Sequence, residues 1–304
     1  MNSVPQFRCS PRAVGFGLAA IVCFFFLNSL AHADTIYASS ADGTIYKFDS
    51  SGNGSVFAYI GLGTPEGLVF DSSGDLYVAT SGYNTIEKFD SSGHESIFAN
   101  SGLNDPQGLA FDNSGNLYVA NAGNNTIERF NPSGVGTVFA SGGLLLSPEG
   151  LAFDGANNLY VANYGGDTVE EFDSSGDGQL FAHAGAVKPW GLAFGGGGNL
   201  YVANSGNNRI ETFNSSGRGS IFGNSGLDHP RGLAFDSSGN LYVVNELGDT
   251  VEKFDSSGNG SVFASGLSYP QFIAVQVPEP STWTLLAMGI GAILSGLRLR
   301  HHPS

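Results

Sequence analysis

Apolar and polar positions alternate in short runs along almost the whole chain, and the runs themselves repeat. In Gly108-Leu109-Ala110-Phe111-Asp112, Leu109 and Phe111 fall on one side and Ala110 on the other. A period of two over a handful of residues is the pattern of a half-buried strand. Leu117-Tyr118-Val119-Ala120, Thr126-Ile127-Glu128-Arg129-Phe130 and Thr137-Val138-Phe139-Ala140 follow with strand character. Between them stand Asn113-Ser114-Gly115, Gly123-Asn124-Asn125 and Asn131-Pro132-Ser133-Gly134. Gly and Asn tolerate the positive φ of tight turns, so these segments read as turns. One unit thus predicts four short antiparallel strands.

The unit recurs. Its opening proline falls at Pro65, Pro106, Pro148, Pro189, Pro230 and Pro270, at intervals of 41, 42, 41, 41 and 40 residues. A repeat of that period built from short strands points to a propeller, or less often a solenoid. Five units are complete. Ahead of them, Thr35-Ile36-Tyr37-Ala38, Thr44-Ile45-Tyr46-Lys47-Phe48 and Ser55-Val56-Phe57-Ala58 match the second, third and fourth strands of a unit, and the missing first strand appears as Pro270-Gln271-Phe272-Ile273-Ala274-Val275. Three N-terminal strands completed by one C-terminal strand make a split blade, which closes a ring and removes the exposed edges of an open array. The predicted fold is all-β: a six-bladed β-propeller of four-stranded blades, flanked by an N-terminal signal helix and a C-terminal hydrophobic helix.

The glycine-led first strand, the Leu-Tyr-Val-Ala-[Asp/Asn] strand and the following Asn-x-Ile segment resemble the NHL-repeat propellers over residues 35–276. The resemblance implies the ring. It leaves function open, since one fold hosts many activities.

Composition adds an address. Arg8 and Arg12 precede an apolar run from Ala13 to Leu30, and Ala31-His32-Ala33 supplies the small residues of a secretory cleavage site, predicting a signal peptide over 1–33. Both cysteines, Cys9 and Cys23, lie inside that leader, so the rest of the chain holds together without disulfides. All 27 acidic residues follow Ala33, whereas four of the 12 basic ones (Arg8, Arg12, Arg298, Arg300) belong to the two ends, leaving eight. So acidic a body argues against phosphate backbones and anionic lipid as partners, and no nucleic acid is expected.

After a propeller domain over 34–276, residues 277–304 carry Pro278-Glu279-Pro280, an apolar stretch from Thr282 to Leu297 and a basic tail containing Arg298 and Arg300. This order is similar to the PEP-CTERM sorting signal. The resemblance implies a Gram-negative exported protein, held transiently in the inner membrane, processed by an exosortase-type enzyme and placed at the cell surface or outside it, where exopolysaccharide or biofilm is made.

The repeats act as an internal control: a residue present in every blade builds the blade, and one that varies is free to serve a ligand. By this test Asn121, Asn163, Asn204 and Asn245 are structural, bonding the backbone of the turn that follows. The Asp-Ser-Ser-Gly segments headed by Asp49, Asp90, Asp173 and Asp255 lack the alternating donors and closing acid of a calcium loop and read as hairpin turns. The varying positions flank each opening proline: Thr64/Glu66, Asp105/Gln107, Ser147/Glu149, Lys188/Trp190, His229/Arg231 and Tyr269/Gln271. A second variable set, which includes Tyr164 and Glu246, follows the second strand on the same face. Together Glu66, Asp105, Gln107, Glu149, Tyr164, Lys188, Trp190, His229, Arg231 and Glu246 form a candidate ligand-binding ring at the channel mouth. Aromatic rings among carboxylates and amides suit a glycan or peptide.

The first expectation is therefore an exported, non-catalytic propeller that binds an extracellular protein or polysaccharide, with no cofactor and no catalytic residue. The alternative is a metal-dependent lactonase or lyase. Propellers of the gluconolactonase and virginiamycin B lyase types use a divalent cation at this mouth, and Glu66, Asp105, Glu149 and His229 stand at plausible positions for one. No nucleophile elbow and no zinc-spaced histidine pair supports chemistry. A purely architectural matrix protein is the third reading.

Overall fold

The computed structural model describes residues 34–277, apart from residue 62 and residues 184–187. The expected signal peptide and, from Pro278 onward, the sorting segment with both flanking helices lie outside the described residues. Within these, 24 strands form six four-stranded sheets. Five sheets run consecutively from an inner strand outward, the inner strands being Pro65–Phe70, Pro106–Phe111, Pro148–Phe153, Pro189–Phe194 and Pro230–Phe235. The sixth joins Pro270–Gln276 to Thr35–Ser40, Thr44–Phe48 and Gly54–Tyr59. Its seam is an antiparallel register pairing Ile36 with Val275, Tyr37 with Ala274 and Ala38 with Ile273. Pro270–Gln276 also packs against both Pro230–Phe235 and Pro65–Phe70, so the ring is closed as six blades.

The apolar core lies between blades. One cluster joins Tyr118, Ile127 and Ala140 of one blade to Leu151, Val161 and Phe172 of the next. The repeated tyrosine explains much of the adhesion. Tyr118 meets Phe139 of its own blade and Phe153 of the next, each with ring centroids 4.9 Å apart in an edge-on arrangement. Tyr77 and Tyr160 repeat the arrangement with Phe98 and Phe111, and with Phe181 and Phe194. Such pairs contribute about 1 kcal/mol each beyond burial.

The second-strand asparagine is structural, but its partner differs from the expectation. Asn121 accepts from the Asn104 N–H (3.1 Å) and donates to the Gly102 carbonyl (3.0 Å) and to Thr126 Oγ1 (3.2 Å). The loop it holds is the one that enters its blade's first strand, not the turn after its own strand. Asn163 and Asn245 make the same pair of backbone bonds. Because Asn121 is fully buried, Asn121→Ala strands a carbonyl and an N–H. A loss of about 2 kcal/mol is expected in urea unfolding, and a loss under about 0.5 kcal/mol would refute the account.

The Asp-headed segments close on themselves as hairpin turns. Asp49 Oδ1 accepts from the N–H groups of Ser51 and Asn53, and its Oδ2 from the Asn53 amide.

Candidate functional site

Each inner strand carries a two-residue irregularity just after its opening proline. Pro148 pairs with Asn163, but the next pairing is Leu151 with Val161, so Glu149 and Gly150 together stand opposite Ala162. The same shift follows Pro65, Pro106, Pro189 and Pro230, and it occurs in the closing blade between Ser40 and Ala38. A bulge of this kind re-aims a side chain. Here it turns the residue after each proline into the channel, so Glu66, Gln107, Glu149, Trp190, Arg231 and Gln271 converge as an inner ring, one per blade.

The residues before the prolines go elsewhere. Asp105, Lys188 and His229 have positive φ (51°, 65° and 52°). Their N–H groups are held by Asn84, Asp167 and Asn208 of the preceding blade's turn. Asp105 and Lys188 are exposed and His229 is half-buried. They form an outer rim around the inner ring.

Rim and second-strand residues buttress the ring. Ser81 donates to Glu66 Oε1 (3.3 Å), and Ser147 to Glu149 Oε1 (3.1 Å). The Gln107 amide donates to Asp105 Oδ1 (3.0 Å), and that of Gln271 to the Tyr269 carbonyl (2.7 Å). Arg231 pairs with Glu246 at 2.5 Å and covers one face of Trp190, with its Cζ 3.8 Å from the ring centroid. Tyr164 meets Trp190 edge-on at 5.1 Å, and Lys188 Nζ stands 5.1 Å from the Tyr164 ring centroid.

Every inner-ring residue thus spends part of its side chain on a neighbour and keeps one buried polar atom unspent. These atoms are Glu66 Oε2, Gln107 Oε1, Glu149 Oε2, Trp190 Nε1, Arg231 Nε and Gln271 Oε1. Glu66, Gln107, Glu149 and Gln271 are each at most 7 % exposed. Buried polar atoms are normally hydrogen-bonded, at a cost of about 1–3 kcal/mol when they are not. Atoms of this kind also occur within the blades, at Glu87 Oε2, Glu170 Oε2 and Asn204, but the residue after the opening proline brings one from every blade to the same ring. Burial pushes the Glu66 carboxyl up to about 8, with Asp105 adding to the rise and Arg231 opposing it. Burial, followed by the charge of Glu66, pushes Glu149 up to about 8 as well. Both carboxyls therefore carry protons at neutral pH.

Gln271 was not among the expected site residues, although its place after Pro270 matched the others. The sequence reading also left unremarked a second set of buried acids. Glu87, Glu128, Glu170, Glu211 and Glu252 occupy the middle of the third strands and are 3–7 % exposed. Burial pushes the carboxyls of Glu87, Glu128, Glu170 and Glu252 upward. Their recurrence marks them as parts of the blade.

A divalent cation needs several oxygen donors and no competing cation among them. The inner ring offers two carboxyls, and the Arg231 guanidinium acts on both. Among the described residues no group of three or more His, Cys, Asp or Glu is placed to hold a metal. The donor set does not fit, and no reaction step through a metal follows. The inner strands also enclose a cavity of about 270 Å³ walled by Leu68, Leu109, Leu151, Leu192, Leu233 and Ile273, none of them a ring residue.

Comparison with known proteins agrees with the architecture and with the C-terminal signal. NHL repeats match at residues 103–130 and 187–213, and a PEP-CTERM protein-sorting motif matches at 276–300. No curated protein matches the sequence. Among solved structures, the chain is similar to one from a nidogen/laminin complex, with a TM-score of 0.72 at 21% identity, covering 80% of this chain and 98% of that one. It is also similar to a catalytically inactive virginiamycin B lyase from Staphylococcus aureus with quinupristin (TM-score 0.63, 15% identity, 83% and 95% covered). A putative gluconolactonase follows (TM-score 0.56, 20% identity, 71% and 78% covered). At these identities the likeness is one of fold. The chain is thus a six-bladed β-propeller with NHL repeats matched in two of its segments and a C-terminal PEP-CTERM motif, which implies export and exosortase-type processing at the cell envelope.

Proposed function

We propose that this exported propeller is a non-catalytic binding module, needing no cofactor, that holds a protein or glycan partner at its channel mouth. It would do so at the cell surface or in the exopolysaccharide matrix of a Gram-negative bacterium, after transient anchoring in the inner membrane. The observation that carries this reading is the set of six unspent buried polar atoms, one from each blade, at a mouth whose side chains differ from blade to blade. Blade-building positions repeat, and these do not.

Arrays of extracellular glycans and matrix proteins, probed with the purified chain, test the proposal. The Trp190→Ala/Glu149→Ala double variant is expected to weaken the retained partner at least tenfold, on the order of the 2 kcal/mol that marks a central binding residue. Dialysis against a chelator should leave both binding and the melting temperature unchanged. Equal binding by wild type and variant would overturn the mouth as the binding site and favour a purely architectural role. Loss of binding on chelation would favour the metal-dependent lactonase or lyase reading.

A further inference from the structure

The unspent atoms are not scattered around the mouth by element. Four consecutive blades contribute oxygens: Gln271 Oε1, Glu66 Oε2, Gln107 Oε1 and Glu149 Oε2. The remaining two blades contribute nitrogens: Trp190 Nε1 and Arg231 Nε. The mouth is therefore two arcs, one of oxygens and one of N–H donors, and the orientation of each is held by the buttressing bonds. The amide nitrogens of Gln107 and Gln271 are engaged outward by Asp105 and Tyr269, which turns their oxygens inward. Ser81 and Ser147 engage one oxygen of each glutamate and leave the other.

An oxygen arc containing two buried carboxyls suits a donor-rich, positively charged group, because a carboxyl that gives up its proton in a buried place stays ionised only when paired. The donor arc opposite calls for acceptors. One face of Trp190 is already taken by Arg231, so its N–H is what it has left to offer. A bare metal ion would answer the oxygens and leave the N–H groups unmet. A lysine side chain brings an ammonium flanked only by methylenes, and it too leaves Trp190 Nε1 and Arg231 Nε unmatched. An aminohexose carries both halves at once.

We propose that the mouth takes an amino sugar bearing a free primary amine, with its ammonium in the oxygen arc between Glu66 and Glu149 and its ring and hydroxyl oxygens against Trp190 Nε1 and Arg231 Nε. The proposal rests on the partner-binding reading above and names its ligand class. Glu66 faces Arg231, Asp105 and Glu246, and Glu149 faces Glu66, Arg231 and Asp105. Both carboxyls hold a proton at neutral pH in the free protein, so seating an ammonium beside them releases proton to the buffer. Affinity rises with pH through the acidic range, up to the point near neutrality where the sugar amine itself loses its charge.

Calorimetry on the full chain tests this with three probes: a fully deacetylated glucosamine tetramer, its N-acetylated counterpart and cellotetraose. Runs at pH 6, where the sugar amines are charged before binding, in two buffers of different ionisation enthalpy report proton release. The expected result is binding of the deacetylated tetramer about tenfold or more tighter than either neutral sugar, with net proton release. Glu66→Gln and Glu149→Gln should each lose about tenfold and abolish part of the release. Glu171→Gln, on a third strand away from the mouth, should change nothing. Thermal melts confirm that the near-isosteric variants are folded.

Equal affinity for all three sugars, or binding without proton release, overturns the amine assignment and leaves glycan binding standing. Binding of tetralysine with no sugar bound overturns it in favour of a protein partner. If none of these probes nor any arrayed partner binds, the amine assignment and the binding-module reading both fall.

Discussion

Gly150→Ala is expected to cost about 4 kcal/mol, or to prevent folding outright, whereas Gly155→Ala leaves stability within about 0.5 kcal/mol. The inner strands meet around the channel through a collar of glycines, Gly67, Gly108, Gly150, Gly191 and Gly232, each one residue after an inner-ring side chain. A Cβ on Gly150 would collide with the Trp190 carbonyl and press on Gly191 and Leu192 of the next blade. These are backbone atoms of a neighbouring strand, so the strain cannot be relieved by turning a side chain. Two blades would have to part, and with them the Tyr160–Phe194 contact and the buried cluster around it. In a closed ring, displacement at one junction is passed to the others. Gly155 lies in a turn with nothing within 4 Å of its added Cβ. Chemical denaturation of both variants checks the contrast, and a loss under about 1 kcal/mol at Gly150 would mean the collar is not what spaces the blades. In the closing blade Phe272 takes the collar position, and Ser39 Oγ ties the junction by accepting from the Phe272 N–H (3.0 Å) and donating to the Glu66 carbonyl (2.7 Å).

The second large effect is a pH dependence running opposite to ordinary acid denaturation. The carboxyls of Glu66 and Glu149 move from a reference of 4.5 to about 8 on folding. The folded state therefore binds protons more tightly than the unfolded chain. Their contribution is fully present below pH 4.5 and is lost as pH rises through about 8. At roughly 1.4 kcal/mol per pH unit per group, each of the two carboxyls should cost the wild type on the order of 3 kcal/mol between pH 5 and pH 8. The Glu66→Gln/Glu149→Gln variant keeps the shape and part of the hydrogen bonding without the charge. It should be flatter over that window and more stable than wild type at pH 8, with little difference at pH 5. Melting temperatures at the two pH values decide it. Parallel curves for the two proteins would show that these carboxyls titrate normally. Glu87, Glu128, Glu170 and Glu252, also pushed upward by burial, leave a residual slope of the same sign in the variant.

The architecture was legible because it is periodic at two scales. Alternation within five or six residues set the strands, and the spacing of the six prolines set the blades and revealed the split one. Even the aromatic packing is written in the repeat, since the tyrosine of the second strand falls where it can reach the phenylalanine of the next unit's first strand, except at Tyr242, where the next first strand has Val275 in that place. The channel mouth was legible only as a zone, through the positions that fail to repeat.

Within that zone the division between inner ring and rim was not visible. Asp105 and Gln107 are two residues apart, and simple alternation would place them on one side. The bulge buries Gln107 and the positive φ of Asp105 leaves that residue exposed at the rim, although the Gln107 amide still reaches Asp105 Oδ1. Asn121 shows the same limit: its chemistry was readable, but its partners lie 17 and 19 residues back in another loop.

What the sequence determined by itself is therefore everything carried by local period and repetition: strand content, blade number, the closing seam, the turn chemistry of the aspartates and the sorting motif. What only the tertiary structure decided is which polar atoms are left without partners and which carboxyls lose their water. Those are properties of the closed ring. Glu66 and Glu149 are 83 residues apart in the chain, and neither has a raised proton affinity until six junctions and a seam bring both to one desolvated mouth.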